Sequence, residues 1–396
     1  MHMGVDDGHG LRSPGRHARA SRERAQTIAF ARGRLLNARM FPLSLARCVL
    51  AGLALCGALA AVAEVIRPKV VIVAMFERGA DTGDQPGEFQ FWVEREKLDR
   101  VLPLPAGHRA VRTNADGSVL GVVTGVGNSN AAATIMALGL DPRFDLAKSY
   151  WLVAGIAGID PADASVGSAV WTDYAVEGDL GHEIDARDIP ADWATGYVPL
   201  RQKKPYALPL QPAAERADHC YQLNPSLLHW AHQLTKDTPL ADTESIRGFR
   251  ARYTDSPQAL QPPSILIGAT LASSTYWHGK LLNQWANDWV AYYTEGRGNF
   301  VTSAMEDTGT LRALTNLTRA GRADVQRVLI LRTASNFTLQ PPGITAAQSL
   351  SGEDIGHYSA YLPSLEAAHA VGRRVVHALV AGWPVYENTP PSAAAQ

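Results

Sequence analysis

The stretch NFVTSAMEDTGTLRAL, residues 299–314, places two acids where an apolar run gives way to a helix-like pattern. The predicted strand ends at Met305, and the carboxylates of Glu306 and Asp307 follow at once. The helix dipole stabilises a carboxylate at a helix start, so capping alone would explain one acid. Capping does not explain the long, flexible thioether of Met305 beside it. Because ligands of open α/β sheets bind beyond the carboxyl ends of the strands, this junction is a candidate site.

A glycine-rich turn stands at a second strand-to-helix junction, in the motif TGVGNSNAAATI. Gly125 and Gly127 permit a tight turn, Asn128 follows, and Ser129 or Asn130 can cap the alanine-rich helix. Free backbone N–H groups at such a helix start suit an anion or a polarised water. Glycine turns before helices are common, so an ordinary turn is the alternative.

Two further junctions carry small or amide side chains. In AGIAGIDP, the residues Gly155, Ala157 and Gly158 would let a ligand approach the backbone closely. In RTASNF, Asn336 is predicted just past the strand end, where its amide can both donate and accept hydrogen bonds. That combination suits the edge of a heterocycle with an acceptor nitrogen next to a carbonyl. A plain turn is the alternative at both places.

Two aromatic residues, Tyr276 and Trp277, stand between a predicted strand and a predicted helix in the motif SSTYWHGK. Their rings are placed to sandwich a planar ligand, and core packing is the alternative. The histidines are scattered without the spacing of metal ligands, so we expect neither a metal nor a bound cofactor.

Short β-branched runs alternate with helical segments from Lys69 onward, which predicts an α/β domain over residues 64–383. Several runs are apolar at consecutive positions, as expected for strands buried on both faces. The proline-rich residues 186–262, with one helical stretch near 225–236, are predicted to be an insertion, and residues 384–396 a tail. The predicted strands are 70–76, 120–126, 149–155, 168–176, 264–270, 299–305 and 327–335, and the predicted helices are 129–140, 278–294, 306–320 and 363–381.

The N-terminal part of the chain has the pattern of an export signal. A positive flank precedes 16 uncharged residues from Cys48 to Ala63, which end in small-residue triplets of the A-x-A type. The pattern predicts a signal peptide at residues 40–63 and export to the periplasm. A membrane anchor is the alternative, although a span needs about 20 residues. The arginine-rich residues 1–39 do not conform to the signal pattern and are predicted to be a disordered extension.

The charge balance indicates what the chain does not bind. The whole sequence has 37 basic and 38 acidic residues. Removal of residues 1–63 takes away nine arginines and three acids, which leaves 28 basic and 35 acidic residues. An acidic protein of this kind is poorly suited to nucleic acid. Cys220 is then the sole cysteine, so no internal disulfide is expected, and no later apolar run predicts an integral membrane span.

Taken together and in order, these motifs resemble the nucleoside phosphorylase/nucleosidase superfamily, and within it the purine nucleoside permease family. The resemblance covers most of residues 68–381. It implies a three-layer nucleoside phosphorylase-like fold with a central mixed β-sheet flanked by helices, and a homo-oligomer such as a dimer, trimer or hexamer. The motifs that carry it are VVIVAMFE, TGVGNSNAAATI, AGIAGIDPADASVGSAVWTDYAV, EIDARDIPADWATGY, SAMEDTG and RTASNF.

The resemblance implies a role for each candidate residue. A Met-Glu pair of the superfamily grips the ribose, so Met305 and Glu306 are expected to bind it, with Glu306 accepting from the 2′- and 3′-hydroxyls. An Asp or Asn after the late strand binds the purine around N7, which makes Asn336 and Glu306 the candidate catalytic residues. The other candidates are Ala157, Gly158, Tyr276 and Trp277 at the base, and Gly125, Gly127, Asn128 and Ser129 at the phosphate or attacking water.

One departure from the superfamily leaves the reaction open. Phosphorylases of this type usually carry arginines around the phosphate, whereas the turn here reads Asn-Ser-Asn; Arg78, Arg187 and Arg332 are substitutes that the sequence does not place. The first hypothesis is an exported protein that cleaves the N-glycosidic bond of purine nucleosides, by hydrolysis or by phosphorolysis with inorganic phosphate as co-substrate. The second is a non-catalytic periplasmic nucleoside-binding component that assists transport. A third is a binding protein for an unrelated metabolite.

Overall fold

The apolar, β-branched runs form the centre of a mixed sheet in the computed structural model, which describes residues 65–352 and 360–393. The predicted extension, residues 1–39, and the predicted signal peptide, residues 40–63, lie outside the described residues. The strands are β1 (Val70–Ala74), β2 (Arg100–Leu102), β3 (Val111–Thr113), β4 (Val119–Val123), β5 (Tyr150–Ile159), β6 (Ala169–Glu177), β7 (Gly181–Glu183), β8 (Tyr197–Pro199), β9 (Cys220–Gln222), β10 (Ile265–Ala272), β11 (Phe300–Ala304) and β12 (Val328–Phe337). The helices are α1 (Gln90–Arg95), α2 (Asn128–Leu140), α3 (Ala213–Arg216), α4 (Pro225–Thr235), α5 (Glu244–Arg250), α6 (Lys280–Thr294), α7 (Asp307–Arg319), α8 (Ala346–Ser351), α9 (Tyr361–Ala381) and α10 (Trp383–Tyr386).

The main sheet runs in the order β11-β10-β6-β12-β5-β1-β4-β3-β2, and β9 pairs with β6. Strand β1 is parallel to β4 and β5, and β12 is parallel to β5 but antiparallel to β6. Strand β11 also pairs with the end of β5, in the antiparallel direction. The strands β11, β10, β6, β12 and β5 therefore close into a ring, which brings the ends of β11 and β12 to the same neighbour.

Helices cover both faces of the sheet, which accounts for the consecutive apolar positions in β1 and β5. On one face, helices α1, α4 and α9 bury side chains such as Trp92, Leu228 and Val375. On the other face, helices α2 and α7 bury side chains such as Ile135 and Leu314. The predicted three-layer α/β architecture, with a central mixed sheet flanked by helices, is confirmed.

The predicted long strands and helices overlap those of the structure, and the differences concern strand ends and short elements. Strands β5 and β12 run on to Ile159 and Phe337, beyond their predicted ends. The short helix α1 and the strands β2, β3, β7, β8 and β9 were not predicted. Each of those five strands has three residues, which is too short for an alternation of apolar and polar residues to stand out.

Residues 186–262, the predicted insertion, lie partly outside the main sheet and partly within it. Strand β8 pairs with β7 in a separate two-stranded sheet, whereas β9 pairs with β6 of the main sheet. Helix α4 packs Leu227 and Ala231 into the main core, and the Trp171 indole N–H donates to Thr235 Oγ1 at 2.9 Å. This part of the insertion is therefore continuous with the core. Helix α10 occupies the start of the predicted tail, and Arg327 donates to the carbonyl oxygen of Tyr386 at 3.0 Å.

The helices α1 to α10 lie within residues 65–352 and 360–393. None of the helices described there has both the length and the apolar character that a membrane crossing requires.

Candidate functional site

The ends of β5, β11 and β12 meet at Gly158. In the sheet register, Ser303 of β11 and Asn336 of β12 both pair with this glycine. A Cβ atom on Gly158 would lie 2.7 Å from Ser303 Oγ, so a larger residue at this position would require Ser303 to move. Asn336 lies inside β12 rather than past its end, and the register of β12 shifts between Ala334 and Asn336. An irregularity of this kind changes the direction of a side chain.

A cavity of about 200 Å³ lies beside these strand ends, and we call it the strand-end cavity. Its wall contains both Glu306 and Asn336, the two candidate catalytic residues. The other predicted site residues in the wall are Ala157, Gly158, Tyr276, Trp277 and Met305. The remaining wall residues are Met75, Phe76, Glu88, Val126, Ile156, Thr275, Ser303, Ala304 and Ser335.

Glu306 is buried, and its carboxylate is held from three sides. Oε1 accepts from the Gly127 N–H at 3.1 Å, and Oε2 accepts from the Met305 N–H and from Arg332 Nη2, both at 3.3 Å. The side chain makes no capping hydrogen bond to α7, the helix that follows it, which disfavours the simple capping interpretation. Burial raises the pKa of the carboxyl, and the positive charge of Arg332 opposes that effect.

The glycine-rich turn contributes Val126 to the cavity wall rather than the residues that were predicted. Gly125, Gly127, Asn128 and Ser129 are absent from the wall, and Ser129 is exposed. Gly127 has a φ of 91°, in the region that favours glycine, and this turn directs its backbone N–H toward the site. The turn therefore orients a wall residue through its backbone.

Asn128 joins the starts of helices α2 and α7. Its Oδ1 accepts from the Gly309 N–H at 2.9 Å and from the Thr308 hydroxyl at 3.1 Å. A Cβ atom on Gly309 would overlap the backbone of Asn128, so the two helix starts are in direct backbone contact. Because Glu306 precedes α7 and Gly127 precedes α2, this contact fixes the hydrogen bond between them.

Arg332 lies beneath the cavity and is 1% exposed. Its guanidinium forms an ion pair with Asp307, in which Nε lies 3.1 Å from Oδ1 and 3.2 Å from Oδ2. It also donates to Glu306 and to the carbonyl oxygen of Ile156. Buried charges are stable only when paired in this way. Arg332 is thus committed to carboxylates and is not placed as a free phosphate ligand.

The other two arginines that the sequence left unplaced are also outside the cavity wall. Arg187 lies in the insertion, where its exposed side chain pairs with Asp185 at 2.8 Å. Arg78 hydrogen-bonds Tyr361. Within residues 65–352 and 360–393, the wall contains Glu88 and Glu306 but no Lys, Arg or His.

Glu88 is the functional candidate that the sequence analysis missed. It stands in the loop between β1 and α1, where its two carboxyl oxygens accept from the N–H groups of Met75 at 2.8 Å and Ile156 at 2.7 Å. Burial raises the pKa of this carboxyl to about 8; the charge of Arg332 lowers it, and that of Glu306 raises it further. A carboxyl of this kind is a candidate acid or base near neutral pH.

The loop that carries Glu88 is fixed by a second carboxylate. Glu77 accepts from the N–H groups of Phe89 at 2.8 Å and Gln90 at 2.6 Å, and it also contacts the Gly87 N–H. No periodicity marks this loop in the sequence. The one available signal was a pair of acids, Glu77 and Glu88, on either side of a glycine-containing turn after β1. Such a pair does not by itself indicate burial.

Asn336 is oriented by its neighbours. Its Oδ1 accepts from the Ser335 hydroxyl at 2.8 Å, and its Nδ2 donates to the Tyr276 hydroxyl at 3.1 Å. Tyr276 is 40% exposed and lines the cavity, so its ring forms part of the rim. The site thus combines a donor amide and two buried carboxyls of raised pKa around one cavity.

Comparisons with solved structures find nucleosidases at low similarity. A 5′-methylthioadenosine/S-adenosylhomocysteine nucleosidase from S. pneumoniae is 14% identical, with a TM-score of 0.45, and the match covers 79% of this chain and 98% of that chain. The corresponding nucleosidase of Colwellia psychrerythraea is 16% identical, with a TM-score of 0.44 and coverages of 80% and 95%. Likeness at this level says nothing about the activity of this chain.

Comparisons of sequence give a firmer result. The model of the purine nucleoside permease family matches residues 67–391. A protein of Schizosaccharomyces pombe named as a probable purine nucleoside permease is 30% identical over 327 residues, which cover 81% of this chain and 91% of that protein. A purine nucleoside permease of Candida albicans is 29% identical over 329 residues, with coverages of 82% and 78%. The resemblance seen in the motifs is confirmed, and the chain belongs to the purine nucleoside permease family.

Proposed function

We propose that the chain binds a purine nucleoside in the strand-end cavity and cleaves its N-glycosidic bond with water. The observation that carries this proposal is the presence of Glu306 and Asn336 in the wall of one cavity, although Glu306 follows β11 and Asn336 lies in β12. Cleavage develops positive charge on the ribose and negative charge on the departing base. A site accelerates the reaction when its groups meet those charges as they form.

Glu306 binds the sugar in this proposal. Its carboxylate is fixed by the Gly127 N–H and by Arg332, so its orientation is set before the ligand arrives. An ionised carboxylate can accept from both hydroxyls of a cis-diol. Its negative charge also stabilises the oxocarbenium character of the ribose. The flexible thioether of Met305 packs against the sugar.

Asn336 binds the base in this proposal. The Nδ2 of Asn336 donates to the Tyr276 hydroxyl and to the Phe337 carbonyl oxygen, and an acceptor nitrogen of the purine replaces the Tyr276 hydroxyl as its partner in this proposal. That nitrogen gains electron density as the glycosidic bond breaks, so the hydrogen bond strengthens in the transition state. The ring of Tyr276 packs on the base, and Ala157 and Gly158 leave room for it.

Water is favoured over phosphate because of the charges in the wall. Among the residues that the structure describes, two carboxyls and no cationic side chain line the cavity, which disfavours a phosphate dianion. Glu88, with a pKa of about 8, takes one proton from the attacking water while the oxygen bonds to C1′. The electron pair of the glycosidic bond leaves with the base, which then gains a proton from solvent. The products are ribose and free base.

The deciding experiment measures free base released from inosine, guanosine and adenosine, with and without inorganic phosphate. Release that is independent of phosphate supports the hydrolase, and release that requires phosphate supports a phosphorylase instead. Binding without any release supports the second candidate, a nucleoside-binding component that assists transport. The names of the similar fungal proteins favour that candidate enough to keep it in the test.

We also propose that the chain is exported to the periplasm by the segment at residues 40–63. The support is the order of charged flank, uncharged run and small-residue triplet in the sequence. N-terminal sequencing of the exported protein is expected to give a start just after Ala63. A start upstream of Met40 would contradict the proposal.

A further inference from the structure

Ser303 is a polar residue in the wall of the strand-end cavity that neither binds the sugar nor exchanges a proton in the proposed reaction. It lies in β11, where successive side chains alternate between the two faces of the sheet. The hydroxyl of the preceding residue, Thr302, is buried 2.7 Å from that of Thr270 on β10. The Ser303 side chain therefore points to the opposite face, where the cavity lies.

The Ser303 hydroxyl is available to a ligand. No hydrogen bond joins it to another group within residues 65–352 and 360–393, and Ser303 is only half-buried. The side chains of Glu88, Glu306 and Asn336, in contrast, all have hydrogen-bond partners in the protein. A polar group in a cavity wall is completed by water or by a ligand, and a ligand that covers it without bonding it loses affinity.

Ser303 lies beside the amide that binds the base in the proposed reaction. Ser303 and Asn336 both pair with Gly158. A Cβ atom built on Gly158 would lie 2.7 Å from Ser303 Oγ and 3.3 Å from Asn336 Nδ2, so these two atoms are at most 6.0 Å apart. Two groups at this spacing can bond neighbouring atoms on one edge of a ligand. Glu306 is three residues further on, at about 3.3 Å per residue of extended chain, so Ser303 is on the base side of the cavity.

The purine edge that contains N7 has one other polar position. In a 6-oxopurine it is the acceptor O6, and in a 6-aminopurine it is the donor amino group at N6. On the other side of N7, C8 carries only hydrogen. A base with C8 toward Ser303 would cover the hydroxyl without bonding it, whereas a base with C6 toward Ser303 gains a hydrogen bond. A serine hydroxyl can donate to O6 or accept from the amino group, because it rotates to suit its partner.

We propose that Ser303 hydrogen-bonds the polar group at C6 of the purine, so that one site binds both 6-oxopurine and 6-aminopurine nucleosides. The inference rests on the proposed function, because it requires a purine whose N7 accepts from Asn336. It adds a preference that the contacts of Glu306 and Asn336 do not provide. A nucleoside with only hydrogen at C6 makes one hydrogen bond fewer.

The test measures dissociation constants by calorimetry in the full chain carrying Glu88→Gln, which slows cleavage in the proposed reaction. The ligands are inosine, adenosine and purine riboside, the last of which has only hydrogen at C6. We expect the further substitution Ser303→Ala to weaken inosine and adenosine by roughly three- to tenfold and to change purine riboside by less than about twofold. The difference arises because only the first two ligands lose a hydrogen bond.

The control is Ser245→Ala, which removes an exposed hydroxyl from helix α5, outside the cavity wall. It should leave all three dissociation constants unchanged. An equal loss for the three ligands in Ser303→Ala, or no loss, would overturn the role of Ser303. A loss for only one of inosine and adenosine would overturn the dual contact. In each of these cases inosine binding still upholds the nucleoside site, whereas failure of all three ligands to bind the wild-type protein would overturn the proposed function as well.

Discussion

At the scale of single residues, the site depends on how burial sets the charge of two carboxyls. Glu306 and Glu88 both line the strand-end cavity. Arg332 hydrogen-bonds Glu306, forms an ion pair with Asp307, and acts on Glu88 through its charge. Burial raises the pKa of both carboxyls, to about 8 at Glu88, and the charge of Arg332 opposes that effect at both. The two carboxyls differ in their contacts, because Glu306 accepts directly from Arg332, whereas Glu88 accepts from the backbone N–H groups of Met75 and Ile156. The direct contact with Arg332 suits Glu306 to bind the sugar as a carboxylate, and the raised pKa suits Glu88 to exchange a proton.

The Glu306→Gln substitution tests the sugar-binding role. It keeps the shape of the side chain but removes the charge that meets the ribose, so kcat for base release should fall by roughly 10²–10³. The measurement is initial-rate base release, with circular dichroism as a check on folding. Glu366→Gln, which removes an exposed carboxylate paired with Arg95, is the matched control and should retain activity. Unchanged turnover and affinity in Glu306→Gln would contradict the assigned role.

The Glu88→Gln substitution tests the proton-accepting role. Because the ionised fraction of Glu88 reaches one half near its pKa of about 8, kcat/KM of the wild-type protein should rise with pH, be half-maximal near that value and level off above it. The glutamine variant should lose this rise as well as most of its rate. A pH–rate profile from pH 5 to 9, with a nucleoside whose base does not ionise there, is the measurement. A profile that keeps the same inflection without Glu88 would assign the proton to another group.

At the scale of elements, the site depends on two close approaches that glycine permits. Gly158 lets β11 and β12 approach the end of β5, and Gly309 lets the start of α7 contact the start of α2. The first brings Ser303 and Asn336 together, and the second holds Gly127 against Glu306. Each contact joins elements that are far apart in the sequence. The geometry of the cavity is therefore set by packing between elements rather than within them.

The Gly309→Ala substitution tests the contact between helix starts. The added methyl would overlap the backbone of Asn128, so we expect a loss of about 1–3 kcal/mol in the free energy of unfolding together with a lower rate of base release. The control is Gly248→Ala, also within a helix, where no atom lies within 4 Å of the new Cβ. That variant should be neutral or more stable, since alanine is the better helix former. Chemical denaturation of both variants gives the comparison.

The sequence predicted the long elements and several residues of the cavity wall, including Glu306 and Asn336, but not the contacts that complete the site. Buried strands such as β1 and β12 are continuous apolar runs, and the residues at their ends could be identified from the order of the motifs. The wall position of Glu88 could not, because it depends on the N–H groups of Met75 and Ile156 and on the loop that Glu77 fixes. The pairing of β11 with β5 and the link made by Asn128 also arise from long-range packing that no local pattern encodes.

At the scale of the whole molecule, the buried charges connect the candidate site to stability. Arg332, Asp307 and Glu306 are buried together under the sheet ends, and Glu88 lies beside them with a raised pKa. A carboxyl with a raised pKa in the folded state stabilises the fold fully below its ordinary value of 4.5. That contribution is lost as the pH rises through about 8, because the unfolded chain ionises more readily.

This linkage predicts how stability responds to pH. Between pH 5 and pH 8, the free energy of unfolding of the wild-type protein should fall relative to that of Glu88→Gln, by at most about 1.4 kcal/mol per pH unit. Denaturant titrations of both proteins at several pH values give the difference directly. A difference that stays constant over this range would show that Glu88 ionises normally in the folded protein.

The shared pairing of Ser303 and Asn336 with Gly158 has a consequence for how this chain can vary. The position of Gly158 therefore sets the alignment of two strands: β11, which precedes Met305 and Glu306, and β12, which contains Asn336. A single inserted or deleted residue in β11 or β12 would shift that strand by about 3.3 Å relative to the other and reverse the direction of its side chains. We therefore expect an insertion in either strand to disturb the site more than an insertion in an exposed loop.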